Sequence, residues 1–419
     1  MEVRPGYKQT EVGLIPEEWR IKQIGDLEPF VTSGSRGWAA FYSERGSPFI
    51  RITNLSRMCI YLDLENLRFV NIPGNDSEAA RTQLRDGDVL ISITADIGIV
   101  GHVTAKLPKP AYINQHIALL RFDSSRTDSR FVSYFLASEK PQKLFRALTD
   151  SGAKAGMNLT TVQRIRIALP PAKAEQEAIA EALSDADALI ESLERLLAKK
   201  RQLKQGAMQE LLRPKPSDEV RLLGDVSSLK GRIGWQGLKQ AEFTTNDDEP
   251  FLITGMNFKD GAIRWNEVYH ISEVRYEMAP EIQLRPNDVL MTKDGTIGKV
   301  LYIDRIPYPS KASLNSHLLV FRPIGARYHP RYLYYQLGSP RFKDFVELSK
   351  SGTTFFGLSQ AAVAAYPVLL PPMAEQVCIA TTLSDMDTEI TALDAKLAKA
   401  RQLKKGMMQE LLSGRIRLI

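Results

Sequence analysis

The chain has 419 residues, 43% of them hydrophobic and 25% charged, a balance that fits a globular protein and a length that exceeds one core. Its formal net charge of +6 permits an acidic partner, and no apolar run is long enough to cross a bilayer, so no membrane partner is expected. The two cysteines, Cys59 in a loop-like stretch and Cys378 in a helix seam, read as buried thiols of a reducing compartment. The opening Met1-Glu2-Val3-Arg4-Pro5 carries no apolar signal segment, so a cytoplasmic location is expected.

Residues 1–170 read as a mixed α/β domain. Gly13-Leu14-Ile15-Pro16-Glu17-Glu18-Trp19 leads into a short apolar stretch ending at Gly25-Asp26-Leu27. Short apolar runs at 49–55, 89–94, 99–103 and 117–122, bounded by Gly, Asp and Pro, predict strands, and 131–136 and 142–148 predict helices. Residues 171–213 predict one long helix, 214–371 a second domain, and 372–419 a second long helix. The second domain retraces the first: Leu223-Gly224-Asp225-Val226 answers Ile24-Gly25-Asp26-Leu27, and Asn287-Asp288-Val289-Leu290-Met291-Thr292 answers Gly87-Asp88-Val89-Leu90-Ile91-Ser92. Thr296-Ile297-Gly298 answers Asp96-Ile97-Gly98, and Asn315-Ser316-His317 answers Asn114-Gln115-His116. Scaffold letters are kept while loops diverge, as in two readers of different texts.

The long helices are the clearest part of this internal repeat. Pro170-Pro171, Glu175-Gln176, Leu183-Ser184-Asp185, Arg201-Gln202-Leu203-Lys204 and Met208-Gln209-Glu210-Leu211-Leu212 recur about 200 positions later, from Pro371-Pro372 to Met408-Gln409-Glu410-Leu411-Leu412. Ile179, Leu183, Ala186, Ile190, Leu193 and Leu197 follow coiled-coil spacing, as do Ile379, Leu383, Met386, Ile390, Leu393, Leu397 and Ala400. Roughly 39 residues at 1.5 Å each give a rod of about 58 Å. Each helix is acidic in front (Glu175 to Glu191; Glu375 to Glu389) and basic behind (Lys199 to Lys204; Lys399 to Lys405). A parallel pair would stack like charges, whereas an antiparallel pair sets each acidic half against a basic one. The alternative is two separate helices, each lying on its own domain.

The sequence carries no motif for catalysis and no Cys/His metal spacing. Asp394-Ala395-Lys396 has a nuclease-like spacing but lies mid-helix without an acidic partner. What remains is binding, which needs cations for phosphates and planar amide or guanidinium groups for base edges. The first domain offers Ser35, Arg36, Trp38, Arg51, Thr53, Asn54, Lys154 and Asn158, and the second offers Lys230, Arg232, Trp235, Gln236, Lys239, Thr254, Asn257, Lys293 and Lys350. The opposing view makes these ordinary solvated loops, with Trp38 and Trp235 in the core. His116 and His317, each two residues after an Asn, suit a hydrogen-bonded structural role or a base or phosphate contact. A coiled-coil scaffold that binds proteins and a nuclease or fused methyltransferase are the competing classes.

Taken whole, the chain resembles the DNA-specificity (S) subunit of Type I restriction-modification systems. The resemblance rests on Ile167-Ala168-Leu169-Pro170-Pro171…Glu175-Gln176…Ile179, on Val368-Leu369-Leu370-Pro371-Pro372…Glu375-Gln376…Ile379, and on Lys204-Gln205-Gly206 with Lys404-Lys405-Gly406. The opening Gly13 to Trp19 is also similar to family starts. The resemblance implies two target recognition domains, set apart by an antiparallel coiled coil with pseudo-twofold symmetry, each reading half of a split, asymmetric sequence in double-stranded DNA. It also implies two docked adenine methyltransferase (M) subunits and, through them, restriction (R) subunits. S-adenosylmethionine, ATP and Mg²⁺ belong to those partners, with no cofactor, metal or catalytic residue on this chain.

Overall fold

A computed structural model describes residues 5–34, 36–72, 77–150, 157–233, 237–259, 261–349 and 357–418. The chain divides into two units, Met1–Arg195 with Ala395–Ile419, and Leu196–Asp394. The division falls inside both long helices, so each unit owns part of each.

In the first unit the strands Phe30–Ser33 (β1), Ser47–Ile50 (β2), Val89–Ser92 (β3), Val100–His102 (β4), Tyr112–Ile113 (β5) and Ile117–Arg121 (β6) build two sheets. The main sheet is antiparallel in the order β1-β6-β3-β4, and the smaller one carries β2 parallel to β5. Alternation along the central strands decides the layers. Val89, Ile91, Ala118 and Leu120 face a core containing Phe131, Val132 and Phe135, while Leu90, Ile117 and Leu119 face Ile50, Leu84 and Ile113. Both faces are therefore covered, which is why these strands read as continuous apolar runs. Helices Ser129–Ala137 (α1) and Glu139–Asp150 (α2) cover the first face, and Asp128 caps α1 by accepting the N–H groups of Arg130 and Phe131.

The expected strand at 49–55 is shorter than its apolar run. It stops at Ile50, because Asn54 Oδ1 accepts the Arg51 N–H at 3.0 Å and bends 52–54 into a 3₁₀ turn. The long helix Lys173–Leu211 (α3) has 39 residues and starts just after the Pro-Pro pair.

The second unit repeats the design. Strands Ser227–Lys230 (β7), Phe251–Ile253 (β8), Val289–Thr292 (β9), Val300–Tyr302 (β10), Ala312–Leu314 (β11) and Leu318–Pro323 (β12) form a main sheet β7-β12-β9-β10 and a smaller sheet with β8 parallel to β11. Pro330–Leu337 (α4) and Pro340–Ser349 (α5) take the places of α1 and α2, and Met373–Leu411 (α6) is the second 39-residue helix.

Within each unit the portions of α3 and α6 run antiparallel. In the first unit Glu175, Asp187 and Glu194 pair with Arg417, Lys404 and Arg401, one numbering rising as the other falls. In the second, Lys204, Lys200 and Lys215 meet Asp387, Glu389 and Glu375. The acidic and basic halves therefore face each other as the charge gradient requires. The seam positions are buried as well: Ile179 and Leu183 at 0% exposure, Leu193 and Leu197 at 5%, Ile379 at 4% and Leu383 at 0%. Cys378 departs from expectation and is exposed, because it stands one residue, about 100°, off the seam at Ile379. Cys59 is half-buried.

Candidate nucleic-acid interface

The main sheet of the first unit gathers separate loops at one end. There β1 and β3 finish while β4 and β6 begin, so the turn after Ser33, the 93–99 loop and the turn before Ile117 become neighbours. Backbone hydrogen bonds stitch them together: Gly34 N–H to Ile117 O at 3.3 Å, Ile93 N–H to His116 O at 2.9 Å, and Asn114 N–H to Ile50 O at 2.9 Å. Met157 N–H donates to Ile93 O at 2.8 Å, which brings the start of the Leu159–Gln163 helix to the same place. A Cβ on Gly34 would stand 2.2 Å from the Asn114 carbonyl carbon, so this approach requires glycine.

The expected residues Arg36, Arg51, Thr53 and Asn158, scattered over more than 120 positions, all flank this one junction. Arg36 and Thr53 are exposed, and Arg51 is half-buried with an Nε that has no hydrogen-bond partner among the described residues. Asn158 is exposed but caps its helix, accepting the Thr161 N–H at 2.7 Å. Arg81, which the sequence reading missed, donates to Thr32 Oγ1 and to Ser33 O at 2.8 Å, adding a cation at the end of β1. Only its position on the short helix Ser77–Thr82, between β2 and β5 of the smaller sheet, brings it there, and no sequence signal marks it.

The second unit has the same junction. Asn315 N–H donates to Ile253 O, Lys293 N–H to His317 O and Leu358 N–H to Lys293 O, each at 2.9 Å. Lys230 is exposed at the end of β7, and Thr254 follows β8. Lys293 Nζ lies 3.1 Å from Asp294, whose carboxylate is also 3.1 Å from His317 Nδ1. Lys239 is exposed, and its N–H binds Glu242 at 2.7 Å in a separate 3₁₀ turn.

Four of the expected residues are buried and have partners within the fold. Trp38 is 3% exposed and packs against Phe49 and Tyr112 in a small core, because an indole of that size is sequestered once rings flank it. Asn54 and Asn257 are buried and hold matching turns. Each accepts the N–H three residues earlier, and their amides reach Asp63 O at 3.1 Å and Glu267 O at 3.5 Å. Arg232 is 5% exposed and donates to Leu314 O at 2.7 Å and Ser313 Oγ at 2.9 Å; burial pulls its guanidinium down to about 10. Ser35, Lys154, Trp235, Gln236 and Lys350 lie outside the described residues, as does the Ser151-Gly152-Ala153 stretch.

The helix signatures have distinct jobs. Gln176 accepts the Asp128 N–H at 3.0 Å and donates to Pro170 O at 3.2 Å, tying α3 to the start of α1. Gln376 does the same with the His329 N–H at 2.9 Å and Pro371 O at 2.9 Å. Asp187 accepts the Tyr134 hydroxyl at 2.8 Å and Lys404 Nζ at 2.5 Å, and Asp387 likewise takes Tyr335 and Lys204. Burial and the adjacent carboxylates hold both tyrosine hydroxyls well above their ordinary range. These letters recur because each unit needs the same clamp between the helix pair and α1 or α4.

Each unit also carries a cleft in the same place. The first, of about 810 Å³, is lined by Gly98, Ile99, Val100, Ala137, Gln142 and Met408, and the second, of about 410 Å³, by Gly298, Lys299, Val300, Gly338, Lys343 and Met208. Lys140, Arg146, Lys405 and Arg415 also line the first, against one acid, Glu139.

Among the described residues no group of His, Cys, Asp or Glu is arranged to hold a metal ion. Asp394 is engaged by Arg201 at 2.9 Å. No helix among the described residues is long and apolar enough to cross a membrane.

A family model described as the Type I restriction modification DNA specificity domain matches residues 16–200 and again 218–401. The chain is 24% identical to a putative type I restriction enzyme MjaX specificity subunit of Methanocaldococcus jannaschii, over 98% of this chain and 97% of that one. It is 23% identical to the type I restriction enzyme MjaVIII specificity subunit of the same organism, over 98% and 96%. In fold it is similar to the S subunit of a Type I restriction-modification system from M. genitalium, with a TM-score of 0.64, 16% identity and 98% coverage of both chains. It is similar also to a chain solved to explain complex assembly and conformational transition of the type I system, with a TM-score of 0.54, 17% identity and coverage of 96% and 99%.

Proposed function

Because this chain belongs to the Type I restriction-modification DNA specificity family, and is thus a DNA-recognition subunit, we propose that it reads a bipartite, asymmetric target in double-stranded DNA and docks two adenine methyltransferase subunits. Restriction subunits join through those partners. The chain itself performs no catalysis, and S-adenosylmethionine, ATP and Mg²⁺ act on the partner subunits.

The observation that carries this reading is the twofold occurrence of one junction with different side chains on it. Both units use the same sheet, the same backbone stitching and the same helix clamp, while Arg36, Arg51 and Thr53 stand where the second unit has other residues. Two readers with one scaffold and unlike tips suit two unlike half-sites. The features that recur in both units, the corresponding clefts and the helix clamps, suit two copies of one partner.

The test is to insert one heptad into both α3 and α6 and to map methylated adenines. Seven residues add about 10 Å of helix, the length of roughly three base pairs. The unread gap lengthens by about that much while both half-sites stay the same. An altered half-site with an unchanged gap refutes the arrangement. Absence of salt-dependent DNA affinity in the wild-type complex would favour a protein-binding scaffold instead.

A further inference from the structure

Between β3 and β4, and again between β9 and β10, the backbone is clipped identically while the side chains are not. Ser92 Oγ accepts the Ile99 N–H at 2.8 Å and donates to Asp96 O at 2.5 Å; Thr292 Oγ1 accepts the Lys299 N–H at 3.0 Å and donates to Thr296 O at 2.5 Å. Gly98 and Gly298 return their N–H groups to Ser92 O at 2.9 Å and Thr292 O at 2.8 Å. The apex residue is left-handed in both, Ala95 at φ +58° and Gly295 at φ +72°. On this shared frame Ile93-Thr94-Ala95-Asp96 is replaced by Lys293-Asp294-Gly295-Thr296, and Gln115 by Ser316.

The tips are also held in place by side chains. Thr94 Oγ1 lies 2.6 Å from His116 Nδ1, and His116 Nε2 lies 3.1 Å from Gln115 Nε2. In the second unit Asp294 fixes both Lys293 and His317. A group already fixed loses little conformational freedom on meeting DNA, so its hydrogen bonds convert more fully into discrimination.

We propose that these two tips, each with the turn before β6 or β12 that packs on it, determine one base pair in each half of the target. The inference rests on the reading that each unit contacts one half-site. Gln115 presents an amide that fits the N6 and N7 edge of adenine. Lys293 and Asp294 together fit a G·C pair, the ammonium toward guanine O6 and N7 and the carboxylate toward cytosine N4. The two histidines orient these groups and are positioning residues.

The full-length chain is incubated with a pool of randomised duplex DNA, and the retained sequences are read. Wild type enriches a split motif with an A·T pair in one half and a G·C pair in the other. Gln115→Ala relaxes one position in the first half alone, and Lys293→Ala or Asp294→Asn relaxes one in the second half alone, each with a discrimination loss of about 5- to 150-fold. A split wild-type motif that all three variants retain within about twofold overturns the tip assignment and leaves the half-site reading standing. A wild-type chain that enriches no split motif overturns both. A variant that weakens the two halves equally also overturns the assignment, because the tip then supports the fold and does not read a base.

Discussion

Removing Lys404 should damage the first unit far more than removing its counterpart Lys204 damages the second. Lys404 and Asp187 have side chains only 9% and 5% exposed, whereas Lys204 and Asp387 are 20% and 37% exposed. In Lys404→Met the Asp187 carboxylate keeps the Tyr134 hydroxyl but loses its only cation among the described residues, and Met58 O loses its 3.2 Å donor. Stranding a buried charge costs about 3–5 kcal/mol, while an exposed pair contributes about 1 kcal/mol or less. Lys204→Met lies nearer the second figure, so the two variants should differ by about 2 kcal/mol or more. Hydrogen exchange read by mass spectrometry separates the units, since peptides from 176–193 and 401–412 report on the first and those from 200–212 and 376–390 on the second. Asp187→Asn added to Lys404→Met should recover more than half of the loss, because the stranded charge is then gone. Equal losses in both units, or no recovery in the double variant, would refute the reasoning.

Further outcomes follow from single positions. Gln176→Ala leaves the buried Asp128 N–H without an acceptor and should lower stability by about 1–3 kcal/mol, seen as a reduced urea midpoint; Gln376→Ala should do the same through His329. Gly98→Ala should cost about 2–5 kcal/mol, because its φ is +86° and the new Cβ would stand 2.3 Å from the Phe145 ring. Gly298→Ala meets Val346 only at 3.5 Å and should cost about 1–2 kcal/mol by the same measurement. His102 is pulled from 6.5 down to about 4 by burial. Its neutral form is the one the fold accepts, so the associated stability is complete above pH 6.5 and is lost as pH falls toward 4, by about 3 kcal/mol. His102→Gln should flatten urea midpoints across that window, and an unchanged slope would exclude this histidine as the cause.

The repeat, the helix lengths and the antiparallel sense were legible in the sequence, because periodicity and charge order are properties of the chain itself. Ile179 and Leu183 recur at the seam spacing whatever the rest of the protein does, and acidic and basic halves attract in one direction only. Strand positions were legible for the same reason, since Val89, Leu90 and Ile91 must be buried on both sides of a sheet. The site was legible only as residue types. Trp38, Asn54, Asn257 and Arg232 have side chains suited to nucleic acid, yet folding spends them on a ring cluster, two turns and a buried guanidinium. Conversely, Arg81 and Thr94 lack any local signal and reach the junction because β1 and β3 end where β6 begins. Sequence fixes which groups exist and how each segment winds. Only the tertiary structure decides which groups face one another and which stay free for a ligand, because that depends on contacts between residues far apart in the chain.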